Sequence, residues 1–433
     1  MDALGELPLR GLLRGPREVL LGAGTRASVP AATARLGSRA LVVTDPRLGA
    51  DPATGQLVDG LRAAGLAVAV HDGAAPELPV EDGAALAEEA RRHGADVLVG
   101  FGGGSCMDLA KVVAVLLAHG GRPQDYYGED QVPGPVAPVV AVPTTAGTGS
   151  EVTPVAVVTD AERATKVGIS NRHLVPHTAV VDPELALTCP ASVTAAAGAD
   201  ALAHCVEAFT AVRRGVEDLD GARVFVGRGV LTDHWALLGI RHVARHLRRC
   251  VEVPDDLEAR SGMALAALAG GMAFGTAGTA GAHAVQYPVG ALTRTPHGTG
   301  VGLLLPYVMA FTAPVVGDRL REVAEALGVP EAQRTGPDAG SVRAVADLVA
   351  AIGIPRTLAD LGVGADDLPA LAAASMSARR LVENSPRELD EAAALRLLRA
   401  AHAGDLTVDG QDLDGQDPDG QELDSQDDTE GAA

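Results

Sequence analysis

The chain has 433 residues, 47% of them hydrophobic and only 2% aromatic, so the core must be aliphatic and base stacking on aromatic platforms is disfavoured as a function. A net charge of −21 argues against nucleic acid or an anionic membrane as partner, because both need basic patches. At roughly 100–200 residues per domain, this length predicts two or three domains.

The N-terminus, MDALGELPLRGLLRG, lacks the apolar stretch of a signal peptide. Short apolar runs at 19–21, 40–44, 67–71, 97–101 and 139–142 then alternate with amphipathic stretches such as 83–93 and 107–118. Strands alternating with helices predict parallel βαβ units. Three β-rich segments, 155–159, 165–169 and 178–181, close this half. After Pro190, helical periodicity takes over at 193–210, 232–250, 257–274, 301–311, 316–327, 342–352 and 389–401. The expected organisation is an α/β domain at 1–186, an all-α domain at 187–404 and a disordered acidic tail at 405–433. The tail holds eleven Asp and Glu and no Lys or Arg, so the rest of the chain carries −10. Its DGQ-type repeat lacks the ligand spacing of an EF-hand. No apolar run reaches about 18 residues, so no membrane span is expected. Cys106, Cys189, Cys205 and Cys250 show no CxxC spacing, which fits a reducing, cytoplasmic setting.

Candidate chemistry appears in chain order. Asp45 ends the second strand, about 20 residues after Gly22 and Gly24, where a carboxylate accepts from a ribose 2′-OH and repels a 2′-phosphate. That favours NAD(H) over NADP(H); a turn-forming Asp is the plainer reading. Strand 97–101 runs into Gly102, Gly103, Gly104 and Ser105 and then a helix start, a geometry that suits a phosphate or a tight turn. Pro143-Thr144-Thr145-Ala-Gly-Thr148-Gly-Ser-Glu151 follows another strand and offers hydroxyls and free amides to a nucleotide, or is a polar loop. Asp200 and His204 lie i, i+4 on one helix face. With His283 and His297 they make one carboxylate and three imidazoles, a set suited to Fe²⁺ or Zn²⁺ that leaves a divalent ion about +1 and Lewis-acidic.

The GGGS turn, PTTAGTGSE, GADALAH and TPHG, in this order, resemble the iron-containing (group III) alcohol dehydrogenase family, with the likeness running from about Gly22 to Leu398. The resemblance implies a dehydroquinate-synthase-like fold, with metal and active site in the cleft between the two domains. It implies Asp200, His204, His283 and His297 as ligands of Fe²⁺ first and Zn²⁺ second. Gly102–Ser105 and Asp108 would hold the cofactor with Thr144, Thr145 and Thr148, and Lys166 would lie near it. The substrate would be a small aldehyde or alcohol, and the assembly a homodimer or higher homo-oligomer. Two other readings stay open: a metal-dependent lyase that uses NAD on the related scaffold, and a non-catalytic binding protein that has kept the fold.

Three features depart from the family pattern. Tyr287 stands four residues after His283, where many members have a second histidine; its phenol can relay a proton or simply pack. Pro76-Glu77-Leu78-Pro79 lacks the family's Asn. An insertion near 213–229 carries Arg213, Arg214, Arg223 and Arg228 and either alters the cleft or subunit interface or forms a solvated loop. Arg294, three residues before His297, is within reach of a metal-bound ligand. It is expected to select an anionic aldehyde such as succinic semialdehyde or phosphonoacetaldehyde, unless it pairs at the surface.

Overall fold

The computed structural model describes residues 9–163, 165–220 and 223–408. The strands described are β1 (Glu18–Leu21), β2 (Arg39–Val43), β3 (Ala67–His71), β4 (Val97–Gly102), β5 (Gly128–Glu129), β6 (Val139–Pro143), β7 (Val155–Asp160), β8 (Thr165–Ser170) and β9 (Thr178–Val181). Six of them form one parallel sheet in the order β1-β9-β6-β4-β2-β3. Helices α1 (Val29–Ala34), α2 (Pro46–Gly49), α3 (Pro52–Ala63), α4 (Val80–His93) and α5 (Gly104–His119) connect these strands. β4 and β6 are buried along their whole length, which is why they read as unbroken apolar runs.

The last three strands do not behave alike. β9 enters the main sheet between β1 and β6, whereas β7 and β8 form an antiparallel hairpin that makes a second sheet with β5. β4 and β6 end side by side, with Gly102 opposite Pro143 and the Thr144 N–H donating to Gly102 O at 2.9 Å. The two glycine-rich loops therefore leave the sheet together at its C-terminal edge, where open α/β sheets bind ligands. Buried Lys111 on α5 fastens the second loop. Its Nζ donates to Ser150 Oγ at 2.8 Å, Val155 O at 2.8 Å and Thr153 O at 3.1 Å.

From residue 191 the described chain is helical: α6 (Ala191–Thr210), α7 (Val230–Glu252), α8 (Leu257–Ala277), α9 (Gly281–Thr293), α10 (His297–Leu327), α11 (Ser341–Ala351), α12 (Leu368–Ser375), α13 (Arg379–Glu383) and α14 (Glu391–Ala403). Helix α6 is buried almost throughout and packs on α7, α8 and α10. The expected helices 301–311 and 316–327 lie within α10 as two helical stretches that meet at a kink, where Val316 is non-helical (φ −128°, ψ 21°). Pro314, which lacks the N–H that would bond one turn back, stands just before that break. By length and composition alone, α10 is also long and apolar enough to cross a membrane. However, 83% of its apolar window is buried within the protein, as in the core helix of a bundle.

The tail boundary expected at 405 falls too early. The Asp405 N–H donates to Ala400 O, and Val408 is 6% exposed and part of the helical core. The disorder expected for 409–433 concerns residues outside those described.

Candidate metal centre and cofactor cleft

Helix α6 brings Asp200 and His204 onto one buried face, α9 supplies His283, and α10 begins at His297. Around the Oδ1 of Asp200, the Nε2 atoms of His204, His283 and His297 lie at 3.6, 3.6 and 3.7 Å. Ligand atoms of Asp200, His204 and His283 all lie within 4.8 Å of one another, as the donors of one first-row divalent ion would, while His297 stands next to Asp200 but outside that group. Asp200 Oδ1 and His283 Nε2 are buried without a hydrogen-bond partner. Orphaned polar atoms of this kind are costly unless an ion or ligand satisfies them. The residues present fit the metal.

The opposite nitrogen of each ring is held. His204 Nδ1 faces Gly147 O at 3.3 Å, His283 Nδ1 faces Glu207 Oε2 at 2.6 Å, and His297 Nδ1 faces Gln286 Oε1 at 2.7 Å. Those acceptors place the proton on Nδ1 and leave the Nε2 lone pairs facing Asp200. Burial disfavours ionisation of Asp200, but the surrounding imidazoles outweigh it and hold the carboxyl well below its usual range. Burial lowers His204 and, more strongly, His297, which keeps both rings neutral as ligands must be. At His283 burial is outweighed by Glu207 and Asp200, which raise the ring to about 9, so an ion binding there displaces a proton.

Glu207 and Gln286 escaped the reading of the sequence. Glu207 is a carboxylate on an otherwise apolar helix, three residues past His204, and that incongruity was the available signal. It also accepts the Ala280 and Ala282 N–H groups at 2.9 and 2.6 Å, which anchors the start of α9. This distant cap explains why α9, with Pro288 inside, was not legible as a helix. Glutamine cannot replace Glu207 here, because its amide would point N–H groups at one of three donors. Glu207→Gln is expected to weaken metal affinity by about ten- to a hundredfold. Metal titration of the purified variant checks this, and unchanged affinity would refute it.

Asp200, His204, His283 and His297 line a single cavity of about 210 Å³ with Tyr287, Lys166, Gly104, Ser105, Asp108 and Thr148, far more than one water requires. Gly104 is required by close approach, since a Cβ there would stand 2.7 Å from the Thr148 methyl. Gly149 adopts φ 61° and packs against Gly271 of α8, tying the nucleotide loop to the helical half. Gly102, Gly103, Thr144 and Thr145 form the two turns just described, with Thr144 buried. Asp108 lines the cavity, yet its oxygens are taken by Ser150 Oγ at 2.5 Å and Val157 N at 2.9 Å, so it positions the loops. Lys166 on β8 pairs with Glu77, whose left-handed backbone (φ 64°) occupies the site of the missing Asn.

Asp45 caps α2 through Leu48 N at 2.9 Å, and its other oxygen lies 4.0 Å from Cys106 Sγ on the first turn of α5, beside the glycine turn. Tyr287 reaches the cavity with its ring 6.1 Å from that of His297. The structure does not bring Arg294 into the metal cavity. The residue ends α9 in a left-handed conformation (φ 56°), is exposed, and lines an outer hollow with Lys166 and Tyr287. The extended reach assumed for it fails because the helix turns the chain at that point. The insertion is strapped down through Val224 N to Glu129, Val226 N to Thr276 O and Arg14 to Val224 O, which turns Phe225 into the cavity.

Residues 16–183 match the family described as iron-containing alcohol dehydrogenase, and residues 194–402 match the C-terminal part of the Fe-containing alcohol dehydrogenase family. Long-chain-alcohol dehydrogenase 1 of Geobacillus thermodenitrificans is 36% identical over 379 residues, covering 86% of this chain and 92% of that protein. A solved 1,3-propanediol oxidoreductase superposes with a TM-score of 0.84 at 33% identity, covering 90% of this chain and all of that one. A sulfoacetaldehyde reductase from Bifidobacterium kashiwanohense, solved with NAD⁺, gives 0.78 at 26% identity over 92% of this chain and all of that one. With both halves of the fold matched in this way, the chain belongs to the iron-containing alcohol dehydrogenase family of oxidoreductases.

Proposed function

We propose that this protein transfers hydride between NAD(H) and a small substrate, to the carbonyl carbon of an aldehyde or from the carbinol carbon of the corresponding alcohol, with Asp200, His204, His283 and His297 holding a divalent metal, Fe²⁺ first. The observation that carries the reading is the convergence of three Nε2 atoms on Asp200 Oδ1 at 3.6–3.7 Å in a cavity shared with the glycine loops. When bound, the metal supplies Lewis acidity that stabilises negative charge developing on the substrate oxygen. The Gly102–Ser105 turn and the start of α5 present amides to the pyrophosphate and orient the nicotinamide toward the ligand cluster. The test is NADH consumption with a panel of small aldehydes after reconstitution with Fe²⁺, Zn²⁺, Mn²⁺ or Ni²⁺. Metal-independent turnover, or none with any metal, would overturn the reading.

Tyr287, which lines the cavity beside His297, would relay a proton between solvent and the substrate oxygen. Burial raises its phenol above the usual value, so it stays protonated and able to donate across the working range. Tyr287→Phe is expected to lower kcat several-fold and change its pH profile; an identical rate and profile would leave the ring a packing role. Asp45, beside the glycine turn, would accept from the adenosine ribose. Asp45→Gly is expected to narrow the preference for NADH over NADPH about tenfold or more, with about 0.5–1 kcal/mol lost from the α2 cap. Equal efficiency with both cofactors in the wild type would remove this role.

A further inference from the structure

Arg380, on α13, was not singled out by any spacing in the sequence. Its guanidinium lines the metal cavity, stacked over the ring of Phe225 with 4.2 Å between Cζ and centroid. Its Nη1 is buried without a hydrogen-bond partner, and among the described residues no carboxylate lies within ion-pair distance of it. Every nearby carboxylate is otherwise engaged. Glu77 pairs with Lys166, and Glu129 accepts the Val224 N–H. Glu207 accepts His283 and two backbone amides, and Asp200 faces the three imidazoles. Arg214, from the insertion, adds to the imbalance: its Nε is also buried without a partner, and its charge opposes that of Arg380. Burial lowers Arg380 from its ordinary value, and the more distant carboxylates of Glu129 and Glu207 offset that only in part.

A desolvated, unpaired guanidinium in a substrate cavity is the natural receptor of an oxyanion, which its planar fork binds through two hydrogen bonds. We propose that Arg380, held on Phe225, binds the remote acid group of the substrate, so that the protein acts on short aldehydes or alcohols bearing a carboxylate, sulfonate or phosphonate. The proposal rests on the dehydrogenase reading and names the substrate class of that same cavity. The insertion then has a role as well, because the Phe225 it tucks into the cavity fixes the plane of the guanidinium.

The experiment measures kcat/KM of the metal-loaded enzyme for succinic semialdehyde, sulfoacetaldehyde and phosphonoacetaldehyde against butyraldehyde and propionaldehyde. Calorimetric binding of succinate and phosphonoacetate to the NADH complex is followed alongside. Arg380→Met is expected to cut the ratio of acidic to neutral efficiency about ten- to a hundredfold and to weaken binding of the acids by a similar factor. Arg380→Lys, which keeps the charge without the fork, is expected to restore part of both. The strongest of the three acids identifies the anion. A wild type that shows no preference for acidic aldehydes, or an Arg380→Met variant that loses acidic and neutral substrates equally, overturns the subsite and leaves the dehydrogenase reading standing. Acids that bind through Arg380 in a protein that reduces no aldehyde would overturn the dehydrogenase reading and support the subsite.

Discussion

The His283→Ala variant is expected to lose at least about a hundred- to a thousandfold in kcat and most of its bound metal, while still binding NADH. His283 is the hinge of the centre. Its Nε2 is the orphaned ring nitrogen facing Asp200, and its Nδ1 engages Glu207, which also anchors α9. Alanine removes a ligand and leaves Asp200 and Glu207 buried with less compensating charge, so a stability loss accompanies the metal loss. The glycine turns share the cavity with His283 but are carried by the β4 and β6 ends of the sheet rather than by α9, so they keep their own support in the variant. Elemental analysis, NADH fluorescence and steady-state rates separate these effects. Near-normal metal content and turnover would remove His283 from the ligand set. Loss of NADH binding together with metal would indicate global unfolding instead, and His283→Asn, closer in volume, then repeats the test.

What could be read from the sequence followed the range of the interactions. Buried parallel strands are apolar on both faces, so the run at 97–101 marked β4 to within a residue. Asp200 and His204 are a local pair, and the i, i+4 geometry of a helix is enough to join them. The partners that aim the imidazoles were not legible, because Glu207 meets His283 across 76 positions and Gln286 meets His297 across a helix break. The same limit misplaced the anion receptor. Arg294 is near His297 in sequence but turns outward at a left-handed helix end, whereas Arg380 is 83 residues away and shares the cavity. Chain distance bounds how far two groups can be apart and says nothing about which way a side chain turns. In the same way, β7 and β8 were legible only as β-rich segments, because a hairpin and a strand of the main sheet share one apolar pattern.

Lys111→Met is expected to destabilise the folded protein by about 3–5 kcal/mol at pH 7.5, and by less at pH 5. The lysine is fully buried, and desolvation lowers its pKa to about 8, against the pull of Asp108 and Glu151. Methionine fills much of the volume but abandons the oxygens of Ser150, Thr153 and Val155, which hold the nucleotide loop to α5. Asp108 keeps its Ser150 and Val157 donors, so the charge left most exposed to the loss is Glu151. Burial raises Glu151 from 4.5 to about 7, although Lys111 pulls it down. A carboxyl whose folded pKa stands above its unfolded value contributes stability that is present below about 4.5 and lost as pH rises toward 7. Removing Lys111 raises the folded value further and widens that window upward, so the variant suffers more at pH 7.5, where Glu151 must ionise or carry a proton against solvent. At pH 5 the carboxyl is already protonated in the folded protein and has little need of a cation. Urea unfolding at the two pH values measures the difference. A loss under 1 kcal/mol, or one equal at both, would show that the ammonium contributes no more than methionine packing and that Glu151 finds its compensation elsewhere.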